Sequence, residues 1–364
     1  MRASPERVRA SPERVRVDRT GPRYTRFVSV DDRFDELIGS ITGFHRTWVV
    51  YLGLELGYLA ALRAAGPRGL TRAELAAATA TAPGPLADWL RAAHAFELVT
   101  LDGERAAIDE EIAVVLLDED RPEHLGGQVA KAVISSMDWE ALPGFLRTGV
   151  PVPSRPDRYR RSIERLTLQD IAVFFVEVLG SMPELTARLA MGGRVLDVHC
   201  GGGRWLVAMA KRFPRLELVG VEAQADSVAR AVENVRDAGL AARIAIESGE
   251  PRAYARTGEF TLAYLQFALH DVADPAGTLA AAWRALAPGG RLLVLDWCLP
   301  SDPEDDRTPL GQLMWGAQLD QAMAGWSFHS REGFLELFAA AGIPAPAAIE
   351  LPSGATAFTV ERPA

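Results

Sequence analysis

The sequence predicts an α/β protein: a doubly wound, mostly parallel sheet ending in an antiparallel C-terminal hairpin, preceded by a mainly helical domain with a winged-helix order. Three observations predict it. Apolar residues recur at helical spacing as far as about residue 121. After residue 193 the pattern becomes strand–helix alternation, the signature of a parallel sheet covered by helices. The change begins at "RVLDVHCGGGRWLVAMAKRFP" (194–214), which reads as a buried strand, a glycine turn and the start of a helix.

Taken in order, the first 30 residues read as a disordered tail. They contain the unit RASPERV twice in tandem, rich in charge and lacking the apolar run of a secretory signal. Residues 31–125 form the expected winged-helix domain. Its first helix runs to Gly66-Pro67, Thr71 and Glu74 have the spacing of a capping box, and a second helix spans 85–96. "LVTLDGERAAI" alternates about an Asp-Gly turn, as a hairpin does. "WVVYLGLELGYLAAL" (48–62) carries Glu55 and is short of the roughly 20 apolar residues of a membrane span. It reads as a buried or subunit-interface helix. Residues 126–190 are expected to be connecting helices or a lid, and 191–364 the sheet domain. There the strands fall near 194–200, 216–223, 242–250, 260–269 and 291–299. A helix covers 274–290, and two strands turn about Ser353-Gly354.

Charge narrows the partners. The chain carries 39 Lys and Arg against 48 Asp and Glu, a formal charge of −9, with no clustered basic face. The second helix of the winged module offers only Arg91 and His94, so a packing or dimerisation role is expected rather than nucleic-acid binding. Two cysteines in separate apolar contexts make neither a disulfide framework nor a metal motif, and the expected compartment is reducing and cytoplasmic.

The glycine turn points to a ligand. Gly201 and Gly203 let main-chain N–H groups and a positive helix end approach it. Glu222, about 20 residues on and ending the second strand, is placed to take a ribose hydroxyl pair. Gly249 and Glu250 end the third strand, where a base would lie. A dinucleotide is disfavoured, because Leu206 stands where that fingerprint needs a glycine.

"VLDVHCGGG", "VGVEA", "SGE" and "ALHDVADPAGTLAAAWRALAPGGRLLVLD" resemble, in order and spacing, the motifs of class I S-adenosylmethionine-dependent methyltransferases, which have a Rossmann-like fold. The last stretch is similar to small-molecule O-methyltransferases that carry an N-terminal winged-helix dimerisation domain. The resemblance implies S-adenosyl-L-methionine as cofactor, no metal, a homodimer and no membrane. It implies cofactor contacts at Asp197, His199, Gly201, Gly203, Glu222, Gly249, Glu250 and Gln266. His199 departs from the glycine pattern; the resemblance implies that a positive φ is not obligatory there, so the turn is expected to accept the imidazole.

Methyl transfer to a hydroxyl needs alignment and a base near neutral pKa. His270 follows the fourth strand, where the resembling enzymes keep their base; the alternative is a histidine that only shapes the loop. Its carboxylate partner is Asp296 or Asp320, with adjacent Asp271 poorly placed. Phe174 and Phe175 read as core or as pocket lining. Trp297, Met314, Trp315 and Met323, with Trp326 and Phe328, offer a flat apolar pocket for an aromatic or polyketide-like acceptor, or ordinary core. His199, His270 and His329 lack metal-ligand spacing. Two other readings remain: a fold of this kind catalysing a different reaction, and a non-catalytic dimeric binding protein.

Overall fold

The computed structural model describes residues 29–152 and 155–364. The tandem RASPERV units and nearly all of the expected tail lie outside them. The chain divides into two compact units at His45/Arg46. What is described of the first unit is the outer part of helix α1 (Val30–Glu55), exposed along its length to Arg46, with Phe34, Leu37, Ile38, Ile41 and Phe44 recurring at helical spacing.

The second unit contains the rest. Gly57, in the left-handed region, ends the first long helix, and α2 (Tyr58–Ala65) follows. The single helix expected as far as residue 66 is therefore two. Strand β1 (Leu70–Thr71) leads into α3 (Arg72–Thr79), which opens on the predicted capping box. Thr71 Oγ1 accepts from the Glu74 N–H, and Glu74 accepts from the Thr71 N–H. Helix α4 (Pro83–Ala95) precedes the hairpin of β2 (Val99–Asp102) and β3 (Arg105–Ile108), and the three strands form an antiparallel sheet in the order β1–β3–β2. Leu59, Leu62, Leu75 and Ala93 are fully buried among them, each contributing on the order of 1–3 kcal/mol.

Helices α5 (Glu110–Leu117), α6 (Gly126–Ser136), α7 (Leu142–Thr148) and α8 (Asp157–Val173) connect to the large sheet. A π turn at Phe174–Val178 passes into α9 (Leu179–Ser181), and α10 (Pro183–Met191) follows. The sheet is built from β4 (Gly193–Val198), β5 (Leu216–Glu222), β6 (Ile244–Ser248), β7 (Phe260–Gln266), β8 (Leu286–Asp296), β9 (Ala347–Glu350) and β10 (Thr356–Glu361). Their order is β6–β5–β4–β7–β8–β10–β9. The first five are parallel, and β10 runs antiparallel to both of its neighbours. This is the predicted doubly wound sheet with its C-terminal hairpin, one strand of which lies inside the sheet.

Helices α11 (Arg204–Arg212), α12 (Ala225–Asp237), α13 (Pro275–Ala285), α14 (Pro309–Ala324) and α15 (Arg331–Ala340) complete the unit. Residue alternation along β7 sends Leu262 and Tyr264 into one core and Ala263 and Leu265 into the other, and the register irregularity between Phe260 and Leu262 turns Phe260 to the second. The helix expected over 274–290 stops at Ala285. Pro288 lacks an N–H, Gly289 takes a φ of 69°, and residues from Leu286 join the ladder instead. No single described helix is long and apolar enough to cross a membrane.

Candidate active site

The C-terminal ends of β4, β5, β7 and β8 gather the predicted residues at one edge of the sheet, where open α/β sheets place their ligands. The turn after β4 is wound by left-handed residues: His199 at φ 67°, Gly201 at 51° and Gly203 at 68°. The turn accepts the imidazole, and His199 takes a positive φ although none was expected to be obligatory there; only a few side chains, histidine among them, occupy that region at modest cost. Gly203 caps α11, and a Cβ there would come within 3.2 Å of the Ala231 side chain, so its role is helix packing. A Cβ on Gly201 would meet nothing within 4 Å, and the crevice is open beside it.

Glu222 is the hub of the turn. It is 1 % exposed, and Oε2 accepts the Gly201 N–H at 2.9 Å while Oε1 accepts the Gln224 N–H at 2.8 Å. His199 Nδ1 lies 3.3 Å from Oε2, at ion-pair distance but outside hydrogen-bond alignment. Burial works against the Glu222 carboxylate, yet His199 and the two backbone donors hold its pKa below the ordinary value. Asp197, which ends β4, is pushed up to about 8 by burial and then by the Glu222 charge. Gly249 donates to the Glu222 carbonyl, and Glu250 is exposed beside a hollow of about 250 Å³ that includes Val221 and Tyr254.

Across the crevice, His270 is 7 % exposed. Its Nδ1 is 3.2 Å from Asp296 Oδ1 and its Nε2 is 3.7 Å from Asp271 Oδ1. Phe328 packs on the ring at 4.4 Å. Burial disfavours the imidazolium, but the charges of Asp296 and then Asp271 overrule it and raise the pKa to about 9. Asp296 also accepts the Trp297 N–H, while its Oδ2 is buried and unpartnered among the described residues. Gln266, ending β7, accepts from the Tyr264 hydroxyl and bonds the side chain of Asp170. Asp170 was missed from the sequence. It is a carboxyl group in the apolar run "LQDIAVFF", pushed up to about 8 by burial and then by Asp296.

Asp320 lies elsewhere. It accepts from Lys131, Trp139, Arg155 and Tyr159 and ties α14 to the connecting helices, which corrects its place as an alternative partner of His270. Two expected acceptor contacts are corrected as well. Phe174 is fully buried against Trp205 and Tyr264 in the core. Trp315 is exposed, its indole N–H donating to Asp306 on the surface. Met314 and Met323 face inward from α14, and Trp297 packs beside Phe267. His329 Nε2 is buried without a partner, its ring against Phe334. Among the described residues, no three His, Cys, Asp or Glu side chains form a metal-binding group.

The turn therefore offers space beside Gly201, a buried carboxylate for a hydroxyl pair and a neighbouring hollow for a base, a donor set that fits an adenosyl group. The comparisons agree with this chemistry. Residues 173–343 match the profile of a methyltransferase domain. This stretch is a methyltransferase domain. A demethylmenaquinone methyltransferase of Lactiplantibacillus plantarum is 31 % identical over 117 residues, 32 % of this chain and 49 % of that protein. A ubiquinone biosynthesis O-methyltransferase of Methylococcus capsulatus is 34 % identical over 110 residues, 30 % of this chain and 46 % of that one. The chain thus matches about half the length of these curated relatives. Among solved structures, human N-acetylserotonin methyltransferase in complex with the cofactor aligns over 92 % of this chain and 99 % of its own, at 19 % identity and a TM-score of 0.69. The mitomycin 7-O-methyltransferase MmcR aligns over 91 % and 98 %, at 20 % identity and a TM-score of 0.67. At these identities the structures establish the shared fold. The methyltransferase domain is of the kind that takes its methyl group from S-adenosyl-L-methionine.

Proposed function

We propose that this chain transfers a methyl group from S-adenosyl-L-methionine to a hydroxyl of a hydrophobic small molecule, with His270 as general base, and that it works as a homodimer. The observation that carries the reading is the His270–Asp296 pair beside the glycine turn, at 3.2 Å. When bound, the cofactor supplies an activated methyl on a sulfonium. Glu222 would take the ribose hydroxyls on the lone pairs that its two backbone donors leave free, and Gly201, with open space beside it, would let the adenosyl portion approach the turn. Asp296 accepts from His270 Nδ1–H and so fixes the tautomer that leaves Nε2 free to take the acceptor's proton. Asp271, 3.7 Å from Nε2, stabilises the charge that results.

The relatives' names favour a quinol-like or phenolic acceptor; they include both O- and C-methyltransferases. Removing a hydroxyl proton activates the oxygen and, in a phenol, the ring carbons, so one base serves either outcome. The dimer is supported by the exposed apolar stripe Phe34–Leu37–Ile38–Ile41–Phe44, since contiguous apolar surface of this kind marks contact sites.

The test is His270→Ala assayed against a panel of quinols and phenols. Turnover is expected to fall about 10²–10⁴-fold, with calorimetric affinity for S-adenosylmethionine retained. Unchanged turnover would remove His270 from the chemistry.

A further inference from the structure

The histidine in the glycine turn has no task in the mechanism above, yet it occupies a backbone conformation uncommon for a side chain and flanks the Glu222 carboxylate. Its Nδ1 is 3.3 Å from Glu222 Oε2, the oxygen that also accepts the Gly201 N–H. A quarter of its side chain is exposed at the crevice, whereas Glu222 is sealed beneath it. The charged groups that face the imidazole are Glu222 from β5, Asp271 from the turn after β7 and Asp197 from β4. Burial opposes its protonation, and these carboxylates, Glu222 foremost, overrule burial and raise its pKa. Asp197 is itself driven toward its neutral form. Raised in this way, the imidazole keeps its proton to higher pH than a free one, with the carboxylates of Glu222 and Asp271 facing it.

The methyl donor and the thioether left after transfer differ by the methyl group and by one positive charge on sulfur. We propose that His199 sets the preference of the cofactor site between the sulfonium donor and the neutral thioether product, through the charge on its imidazole. This rests on the functional reading above. An imidazolium repels a sulfonium held in the same crevice and draws on the Glu222 lone pairs that the ribose hydroxyls need. A neutral imidazole leaves Glu222 and Asp271 uncompensated and favours the cation. The thioether feels only the second of these effects of the imidazolium. Affinity for donor relative to product therefore rises with pH, so that donor displaces spent product more readily in alkali than in acid.

Titration calorimetry on the full chain tests this with S-adenosylmethionine and S-adenosylhomocysteine at about pH 6 and about pH 8.5, a span over which histidines change charge. In the wild type the donor-to-product affinity ratio is expected to rise on the order of tenfold between these conditions, as one unit charge a few ångströms away implies. His199→Asn, which tolerates a positive φ, and His199→Gly are expected to show a clearly smaller rise, the part contributed by Asp197, His270 and the ligands' own amines. In the wild type alone, buffers of different ionisation enthalpy are expected to report more protons released by the donor than by the product near pH 7. A ratio with the same pH slope in all three proteins, or equal proton release by the two compounds, overturns the proposal. Failure of either compound to bind the wild type overturns the functional reading and this inference together.

Discussion

At the scale of single residues, the site is a set of carboxyl groups kept in different states by their surroundings. Asp296 faces an imidazole, Asp170 shares the same buried corner and is held neutral to about pH 8, and Asp197 behaves likewise beneath the turn. His270 is the group whose titration the rate should follow. Its folded pKa is raised to about 9, so at neutral pH it rests as the imidazolium and must lose a proton before it can act as a base. The sign is therefore fixed: kcat/KM rises with pH through the neutral range and levels off near pH 9. His270→Gln lacks that limb. A profile that falls over this range would contradict the base assignment. For the same reason, the attraction between His270 and Asp296 stabilises the fold below the unfolded histidine pKa of about 6.5 and is lost as pH rises through about 9.

Secondary-structure elements decide which side chains reach this corner. Helix α14 brings Asp320 against Lys131 of α6, Arg155, Tyr159 of α8 and Trp139, an ionic cluster with no exposed carboxylate oxygen surface, since the Asp320 side chain is 0 % exposed. Asp320→Ala leaves Lys131 without its carboxylate and Arg155 with Asp138 alone, and a loss of about 3 kcal/mol is expected in chemical denaturation. Because Asp320 does not touch His270, the affinity of the folded variant for S-adenosylmethionine should stay near that of the wild type. A stability change below about 1 kcal/mol would mean that the cluster is not a fastening between α14 and the connecting helices. This is also the scale at which the sequence stops being readable. The glycine turn, Glu222 and His270 were legible because each is fixed by local spacing: strand, turn and helix are adjacent in the chain. The choice between Asp296 and Asp320 was not, since it depends on how α14 packs. Asp170 was hidden in an apolar run whose burial only the assembled sheet reveals. Phe174 and Phe175 are neighbours, yet the π turn sends Phe174 wholly into the core and leaves Phe175 half-buried at its edge. The Leu286–Gly290 stretch looked helical and became strand because β7 offered it a ladder.

For the molecule as a whole, the exposed apolar stripe of α1 is where the proposed dimer can be tested. Leu37→Glu with Ile41→Glu replaces two members of that stripe, both exposed, with charges. The expected outcome is a shift from dimer to monomer in light scattering, at little cost to the stability of either unit, because surface substitutions usually stay within about 0.5 kcal/mol. An unchanged mass would move the subunit contact elsewhere. Overall architecture was the most legible feature of the sequence, since alternation of strand and helix patterns is repeated many times and each repeat reinforces the others. The position of β10 between β8 and β9 was not legible, since the pattern fixes a hairpin but not which of its strands enters the sheet.

That inserted strand also sets an order of events for a chain acquiring its shape. The turn around Gly201 and its partner Glu222 belong to one contiguous strand–helix–strand segment, closed over a short loop of chain. Asp296, by contrast, is pinned opposite Thr356 at the end of a ladder between β8 and β10, and joining them closes a loop of roughly sixty residues, a slower and less probable encounter. Loop-closure entropy therefore predicts that amide protection during refolding reaches the β4–β5 and β7–β8 pairs before the β8–β10 ladder that covers Asp296.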